Sequence, residues 1–402
     1  MERRRVILRG ATLLTLDPRH RVVEGDLRID PSGRIDALLS RGRTGRPGEE
    51  EHDLAGRIVL PGLVQSHVHL CQTLFRGMAE RRSLFDWLRD RIWPLEAAHD
   101  PRTIRASVRL GILELLTGGT TAVLDMGTTR HLDAILETCE EMGIRARSGN
   151  AIMDEGEGVP ESLVRPASES LAETEGLLRR YPAAPESRVG VCVAPRFVPT
   201  VSNAAWDGLA RFARERNLVI HTHACETTDE VAFTAEKTGR KTFAYLRDIG
   251  AASPRLVAAH GVRVDDAELG ILAESAAGIV HCPGSNAKLG SGTADVVRFR
   301  RAGVPVGIGT DAAACNNRLC GFEELRRAAH AASALHGPEA VDPASVLDLA
   351  GRAGARLLGL EERIGSLEPG KEADLVVLDP RLGAGLWSGG GDPHAAVLYG
   401  AG

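Results

Sequence analysis

Residues 57–69 read RIVLPGLVQSHVH, an apolar run that ends in two histidines separated by one residue. On a β-strand, residues i and i+2 point to the same side, so this run presents the imidazoles of His67 and His69 together at its carboxyl end. Two imidazoles held side by side are a common beginning of a divalent-metal site. The pair alone is a weak indication, because the chain contains 13 histidines and such a spacing arises easily by chance.

Four later apolar runs end in the same way, in residues that can bind a metal or move a proton. The residues at these ends are His221 and His223 with Glu226 shortly after them, then His260, His281 and Asp311. Histidines that merely fill a core fall anywhere within their segments, whereas these gather at the carboxyl ends. Active-site residues collect at the carboxyl ends of the strands in a (β/α)8 barrel. The pattern therefore predicts an α/β protein with a (β/α)8 TIM-like barrel.

The rest of the chain fits one barrel and a small appendage. Between residues 58 and 365, short β-branched runs alternate with longer stretches of helical periodicity, which gives about eight strand–helix units. Residues 1–57 and 366–402 carry short strand patterns instead. We therefore predict a small β-sandwich domain built from both chain ends, with the barrel over residues 58–365. Within the first of these parts, the polar and glycine-rich Gly42–Asp53 predicts a loop.

Composition excludes several kinds of partner. The chain has 402 residues, a formal net charge of −5 and 43% hydrophobic residues. It carries no basic stripe, so neither nucleic acid nor an anionic membrane is an expected partner. No run approaches the ~20 apolar residues of a membrane-spanning helix. The seven cysteines are odd in number and contain no CxxC pair, which predicts reduced thiols and a cytoplasmic location.

Brought together, the side chains at the strand ends would form a hydrolytic centre. Neutral imidazoles and one carboxylate suit Zn²⁺, with Fe²⁺ and Mn²⁺ as alternatives, and a bound metal lowers the pKa of its water to roughly 7. Asp311 could bind the metal and take the proton of the attacking water, Glu226 could pass a proton to a leaving nitrogen, and His260 could stabilise developing charge. Each also has a structural explanation: Glu226 as a helix N-terminal residue, and His260 and His281 as buried core histidines.

In their order along the chain, these motifs resemble the amidohydrolase superfamily. Within it they are most similar to the aminohydrolase branch of 5′-methylthioadenosine/S-adenosylhomocysteine deaminases and s-triazine hydrolases. The resemblance spans nearly the whole chain. The matching segments are HVHL (67–70), LFRG (74–77), DWL (86–88), WPLE (93–96), GGTT (118–121), HTHACE (221–226), AHG (259–261), HCPGSN (281–286), LGSG (289–292), GTD (309–311) and GSLEPGKEADL (365–375).

The resemblance implies a role for each candidate residue. It implies one Zn²⁺ per subunit, and the ligands that it assigns are His67, His69, His223 and Asp311. It makes Glu226 the proton shuttle and Asp311 the base, and it places His260 beside the nucleophile or the leaving group and His281 in the substrate pocket. His221 is not a ligand in this branch. The presence of Glu226 favours deamination, since members that displace chloride can lack this acid.

For the substrate, the resemblance implies an amino-substituted purine, most simply an adenosine-type nucleoside. Glu96 matches a glutamate that holds the ribose hydroxyls in this branch. Asn150 stands where an arginine helps to bind the 5′-substituent, so a smaller substituent, as in 5′-deoxyadenosine, stays open beside adenosine, methylthioadenosine and S-adenosylhomocysteine.

Alternatives within the fold are guanine, pterin and s-triazine aminohydrolases. From another class, a non-catalytic oligomeric scaffold should have lost a ligand, and none is missing. The resemblance also implies a homo-oligomer. Relatives continue past residues 395–400 with further strands, which implies a small domain that is incomplete in these 402 residues.

Overall fold

A computed structural model describes residues 4–40, 48–381 and 390–402 of the chain. Parts of the predicted small domain and of the predicted loop, at residues 1–3, 41–47 and 382–389, lie outside the described residues. The first five strands are β1 (Val6–Leu14), β2 (Val22–Ile29), β3 (Ile35–Ser40), β4 (Glu50–Asp53) and β5 (Ile58–Pro61).

Ten further strands follow along the chain. They are β6 (Leu63–Val68), β7 (Thr120–Asp125), β8 (Arg145–Ser148), β9 (Ala151–Ile152), β10 (Val189–Val191), β11 (Ala194–Pro195), β12 (Ile220–Ala224), β13 (Leu256–His260), β14 (Gly278–His281) and β15 (Val306–Ile308). The last described strand, β16 (Leu375–Leu378), comes after a long helical region.

Helices occupy the connections between these strands. They are α1 (Leu84–Trp87), α2 (Trp93–Ala97), α3 (Pro101–Thr117), α4 (Leu132–Met142), α5 (Ala167–Leu178), α6 (Asn203–Glu215), α7 (Thr228–Thr238), α8 (Thr242–Asp248), α9 (Asp266–Ser275), α10 (Pro283–Lys288), α11 (Val296–Arg301), α12 (Ala313–Asn316), α13 (Gly321–His336), α14 (Pro343–Leu347), α15 (Arg352–Leu357) and α16 (Pro393–Gly400). No helix within the described ranges combines the length and the apolar character that a membrane crossing needs.

Eight parallel strands close into the predicted barrel. Two ladders run β6–β7–β8–β10 and β12–β13–β14–β15, and every pair in them is parallel. A bridge between Val193 and Ile220 joins the ladders on one side, and a bridge between Val68 and Asp311 joins them on the other. Parallel strands need long crossover connections, which are usually helical, and the helices between the barrel strands supply them. The (β/α)8 prediction is confirmed.

Both chain ends contribute to a second sheet, as predicted. Its order is β16–β5–β1–β2–β3, and β4 pairs with β1 beside β5. The strand β1 pairs with β4 through its first half and with β5 through its second. Gly10 lies at the switch with a φ of +70°, a left-handed conformation that glycine adopts without strain. The six strands form one sheet, and the pairing of β1 with β2 is irregular between Leu8 and Ala11, around this glycine.

Three details differ from the sequence-based expectations. The barrel starts at Leu63, because Ile58–Pro61 pairs with β1 and β16 in the small sheet; one continuous apolar run feeds both sheets. Part of the predicted loop, Glu50–Asp53, is a strand, although its exposed polar side chains carry no strand signal. Residues 393–400 form a helix that packs on α13 and α14 of the barrel, so they do not extend the small sheet.

Candidate metal centre and active site

Four side chains from three barrel strands meet at the carboxyl end of the barrel. His67 and His69 follow from β6, His223 from β12 and Asp311 from the segment after β15, and one ligand atom of each lies within 4.8 Å of all the others. The Nε2 atoms of His69 and His223 are 3.1 Å apart, and Asp311 Oδ1 lies 3.3 Å from His67 Nε2 and 3.4 Å from His69 Nε2. The barrel closes between β6 and β15, its first and last strands, and this closure brings Asp311 next to His67 and His69.

The spacing of these atoms fits a divalent cation. Ligand atoms about 2.1 Å from a tetrahedral Zn²⁺ lie about 3.4 Å from one another, close to the separations seen here. His67 Nε2 is buried and faces Asp311 Oδ1 at 3.3 Å, so this nitrogen and this oxygen point at the position that a cation would take. Burial lowers the pKa of His69 and of His223 well below the ordinary value, which keeps both imidazoles neutral, the form that binds metals.

The backbone and the neighbouring side chains orient the ligands. His223 Nδ1 donates to the carbonyl of Arg196 at 2.7 Å, which leaves its Nε2 lone pair facing the cluster. Asp311 Oδ2 accepts a 2.6 Å hydrogen bond from Ser285 Oγ, so that Oδ1 faces the histidines. Asp311 and His260 adopt left-handed φ angles of 58° and 80°, which cost free energy for residues other than glycine and are held by the surrounding barrel.

Glu226 lies beside His260, next to the cluster. Its Oε1 accepts a hydrogen bond from Ser291 Oγ at 2.9 Å, and its Oε2 is 3.5 Å from His260 Nε2. His260 Nε2 is also 4.0 Å from Asp311 Oδ2, and Asn286 Oδ1 lies 2.8 Å from His260 Nδ1. One nitrogen of His260 thus faces two buried carboxylates, and the other is held by Asn286.

The surroundings of the two carboxyl groups shift their pKa values in opposite directions. Desolvation raises the pKa of Glu226, and the charge of Asp311 adds to this effect while His260 opposes it. For Asp311 desolvation acts in the same direction, but the hydrogen bond and charge of His67 outweigh it and hold its pKa well below the ordinary value. A pair of carboxyl groups with separated pKa values is suited to acid and base roles.

The cluster forms one wall of a pocket. Its lining combines polar residues with apolar and aromatic ones. The polar lining residues are His69, Gln72, Arg196, His223, Glu226, His260 and Asp311, and the apolar and aromatic ones are Leu84, Trp87, Leu88, Phe197 and Leu289. A pocket that combines apolar side chains with a few convergent polar groups is typical of a small-molecule site.

Glu96 lies one layer behind this pocket. Its carboxylate is held by Arg196, with contacts of 2.6 Å and 3.3 Å, and by Gln72 Nε2 at 2.8 Å. Arg196 and Gln72 themselves line the pocket, whereas Glu96 is 6% exposed and does not. A buried arginine needs such a partner, because an unpaired charge in the interior is costly.

The remaining two predicted residues lie away from the pocket surface. His281 is fully buried, and neither of its ring nitrogens has a hydrogen-bond partner within the described part of the chain. Desolvation lowers the pKa of His281 to about 3, and the charge of His260 adds to it. Asn150 is also buried, and its amide nitrogen lies 3.5 Å from the carbonyl of Ser170, so the structure does not bring it to the pocket.

Sequence reasoning missed several residues of the site. Arg196 directly follows the apolar run 189–195, which contains β10 and β11, but arginine is neither a usual metal ligand nor a usual proton carrier, so this strand end was not counted among the candidates. Ser285, Asn286 and Ser291 stand within matched motifs, but their roles as anchors follow only from the three-dimensional contacts. Gln72, three residues after His69, is the one that the spacing of a helical turn could have indicated.

Comparisons with known proteins agree with this geometry. A 5-methylthioadenosine/S-adenosylhomocysteine deaminase from Symbiobacterium thermophilum is 37% identical over 381 residues, which cover 93% of this chain and 85% of the relative. A zinc-bound adenosine deaminase from Xanthomonas campestris superposes with a TM-score of 0.90 at 32% identity, covering 99% of this chain and 89% of that one. A zinc-complexed atrazine chlorohydrolase from Arthrobacter aurescens gives 0.89 at 28% identity, covering 98% and 91%.

The four-ligand cluster and the zinc bound in both solved relatives identify a divalent-metal site. Residues 58–398, which contain every residue of that site, match the amidohydrolase family. This chain belongs to the amidohydrolase family.

Proposed function

We propose that the protein is a zinc-dependent aminohydrolase that releases ammonia from an amino-substituted purine, with an adenosine-type nucleoside as its substrate. One observation carries this proposal: a buried carboxyl group with a raised pKa, Glu226, faces the same pocket as the His67, His69, His223 and Asp311 cluster. Hydrolytic deamination needs a metal-activated nucleophile and a proton donor that can both reach the same substrate ring.

The side chains divide the chemistry between them. Zn²⁺, when bound, supplies a water molecule that is acidic enough to attack at neutral pH. Asp311 would accept the first proton of the attacking water while its oxygen bonds to the ring carbon, and Glu226 would donate its own proton to the ring nitrogen. Glu226 would then take the remaining proton of the new hydroxyl group and pass it to the departing amine, so that a carbonyl forms, the C–N bond breaks and ammonia leaves. Transfer of the proton held by Asp311 back to Glu226 would restore both groups. His260, held by Asn286, stabilises the charge that develops between the two carboxylates.

The relatives support the choice of substrate. Two of them are named for adenosine or for the adenosine-containing thioethers, and one of these is 37% identical over most of both chains. The aromatic and leucine side chains that line the pocket suit the face of a purine. The position of Asn150, away from the pocket, favours a small or uncharged 5′-substituent, so we rank 5′-deoxyadenosine, adenosine and methylthioadenosine ahead of S-adenosylhomocysteine.

A second candidate is an aminohydrolase of free bases, such as guanine, a pterin or an s-triazine. One observation favours it: Glu96 does not line the pocket, and its carboxylate faces Arg196 and Gln72, so side chains must move before a ribose can contact it. A free base has no ribose, so its binding does not require contact with Glu96.

We also propose zinc as the metal, a homo-oligomeric assembly and a cytoplasmic location. Zinc is supported by the nitrogen-rich ligand set and by the two zinc-bound relatives. All seven cysteines are buried free thiols, which agrees with a reducing compartment. Light scattering of the purified protein tests the assembly, and a monomer at micromolar concentration would contradict it.

Ammonia release from the zinc-loaded protein tests the function. The panel contains adenosine, 5′-deoxyadenosine, methylthioadenosine, S-adenosylhomocysteine, guanine, a pterin and ammelide. We expect the highest kcat/KM for one of the adenosine compounds. Turnover of a free base with none of any nucleoside supports the second candidate, and no turnover of any ring would leave a non-catalytic scaffold as the better description.

A further inference from the structure

His221 is a buried histidine that no step of the proposed reaction uses. It precedes His223 by two residues on β12, so both rings project to the same side of the strand and His221 lies one layer deeper. Its exposed fraction is 0%, and it is not among the four residues that meet around the metal position. Its nearest polar contact is with a ligand: His221 Nε2 lies 2.7 Å from His67 Nδ1.

This contact decides which nitrogen of His67 carries the proton. Two imidazole nitrogens 2.7 Å apart hold one proton between them, since two would repel. If His221 donates, the proton of neutral His67 sits on Nε2, which faces Asp311 Oδ1 at 3.3 Å, and the lone pair needed by a cation is lost. If His67 donates, its Nε2 lone pair faces the metal position. His221 then carries its own proton on Nδ1.

The surroundings of His221 favour the second arrangement. The backbone carbonyl of Asp125, at the end of β7, interacts with the His221 ring and offers an acceptor, although the contact does not reach good hydrogen-bond geometry. The carboxylate of Asp125 is fixed by the backbone N–H of Leu70 at 2.8 Å and by Ser148 Oγ at 2.6 Å. The same residue therefore supports both the loop after His69 and the ring of His221.

We propose that His221 is a positioning residue that accepts a hydrogen bond from His67 Nδ1 and thereby fixes His67 as an Nε2 ligand of the metal. The inference rests on the metal site of the proposed function. His223 Nδ1 is held in the same way by the carbonyl of Arg196, whereas the acceptor for His67 Nδ1 is a second imidazole. Loss of such a supporting group lowers metal affinity by roughly 10- to 100-fold in metalloproteins.

Zinc affinity of the metal-stripped protein tests the inference, measured by competition with a chromogenic chelator. His221→Phe keeps a ring of similar size but accepts no hydrogen bond, and His221→Gln restores an acceptor oxygen. His394→Phe is the control, because it removes a buried imidazole from α16, far from the site. The absorption spectrum of the Co²⁺-loaded protein reports the ligand geometry, and the thermal midpoint of the metal-free protein reports folding.

We expect His221→Phe to weaken zinc binding by roughly 10- to 100-fold and to alter the Co²⁺ spectrum. His221→Gln should bind zinc to within about 3-fold of the wild type, and His394→Phe should not change the affinity. Wild-type affinity in His221→Phe overturns the inference, as does an equal loss in His221→Gln. If His221→Phe does not fold, the zinc affinity of His221→Gln alone tests the inference. A value at least 10-fold weaker than that of the wild type overturns it. A wild-type protein that binds no zinc would instead refute the proposed function.

Discussion

Glu226 shows how burial prepares a carboxyl group for proton transfer. Only 3% of the residue is exposed, and the charge of nearby Asp311 adds to the desolvation that raises its pKa. Ser291 fixes one oxygen while the other stays open to the pocket. Because burial raises the pKa of Glu226 above that of a glutamate in water, it favours the protonated form that can donate a proton.

Replacing Glu226 with Gln should abolish most turnover and leave the metal in place. Gln has nearly the same shape, so the contact with Ser291 is retained, but it cannot transfer a proton. We expect kcat to fall by roughly 10²- to 10⁴-fold with an unchanged zinc content. Glu236→Gln, an exposed change on α7, is the matched control. A near-normal kcat in Glu226→Gln would reject the proton-transfer role.

Replacing Glu96 with Gln separates the two candidate substrate classes. If Glu96 holds ribose hydroxyls, its loss should lower kcat/KM for nucleosides by roughly 10-fold or more and change the value for free bases far less. The amide oxygen can still accept hydrogen bonds from Gln72 and one nitrogen of Arg196, but Arg196 loses its counter-charge, so a loss common to both substrate classes is expected beside any loss specific to nucleosides. The measurement is the ratio of the two kcat/KM values. Equal losses for both classes would remove the ribose-binding role.

His281 should make the stability of the metal-free protein depend on pH. Burial lowers its pKa to about 3, so between that pH and about 6.5 the unfolded chain binds a proton that the native protein does not. The free energy of unfolding therefore falls as the pH falls through this range, by about 1.4 kcal/mol per pH unit for one group. Above pH 7 both states are neutral at this residue and its contribution is constant.

The variant His281→Leu removes this dependence. Urea unfolding of the metal-free proteins at pH 7 and pH 5 should show a loss that is about 2 kcal/mol smaller in His281→Leu than in the wild type. His330→Leu, which removes an exposed imidazole, should follow the wild-type curve. Identical losses in wild type and His281→Leu would show that the buried ring does take up a proton.

At the scale of elements, one arginine ties the small sheet to the barrel. Arg145 begins β8, and its guanidinium binds Asp374 at 2.7 Å and 3.2 Å and Glu372 at 3.2 Å, just before β16 returns to the small sheet. The arginine side chain is 8% exposed and the two carboxylates are 15–19% exposed. Burial of this kind makes the loss of one partner costly, since the remaining charges stay behind.

Arg145→Ala should therefore destabilise the protein far more than a surface change of the same type. We expect a loss of about 3 kcal/mol in the free energy of unfolding by urea. Arg109→Ala, which breaks an exposed pair with Glu141, should cost less than about 1 kcal/mol. Similar losses for the two variants would show that the Arg145 contacts do not hold the sheet to the barrel.

The sequence predicted strands well where an apolar run ends in a chemically distinctive residue. The ends of β6, β12, β13 and β14 were each marked by histidine, and the structure has them there. The sequence predicted strands poorly where a distant pairing partner determines which sheet a segment joins. Ile58–Pro61 joins the small sheet because β16, more than 300 residues later, pairs with it. Glu50–Asp53 is a strand only because β1 offers it an edge.

At the scale of the whole molecule, barrel closure creates the site. Asp311 and His67 are more than 240 residues apart, yet the bridge between Val68 and Asp311 places them side by side. The sequence predicted the identity of these residues and their common edge, because strand ends share one face of a barrel. It did not predict Arg196 or the contact between His67 and His221, because both depend on side chains that meet across the barrel.

The most direct test of this account is the location of zinc in crystals of the zinc-loaded protein, measured by anomalous scattering at the zinc absorption edge. We predict one strong peak per subunit, about 2.0–2.2 Å from His67 Nε2, His69 Nε2, His223 Nε2 and one oxygen of Asp311. A peak elsewhere, or no peak between these four side chains in fully loaded crystals, would contradict the central claim.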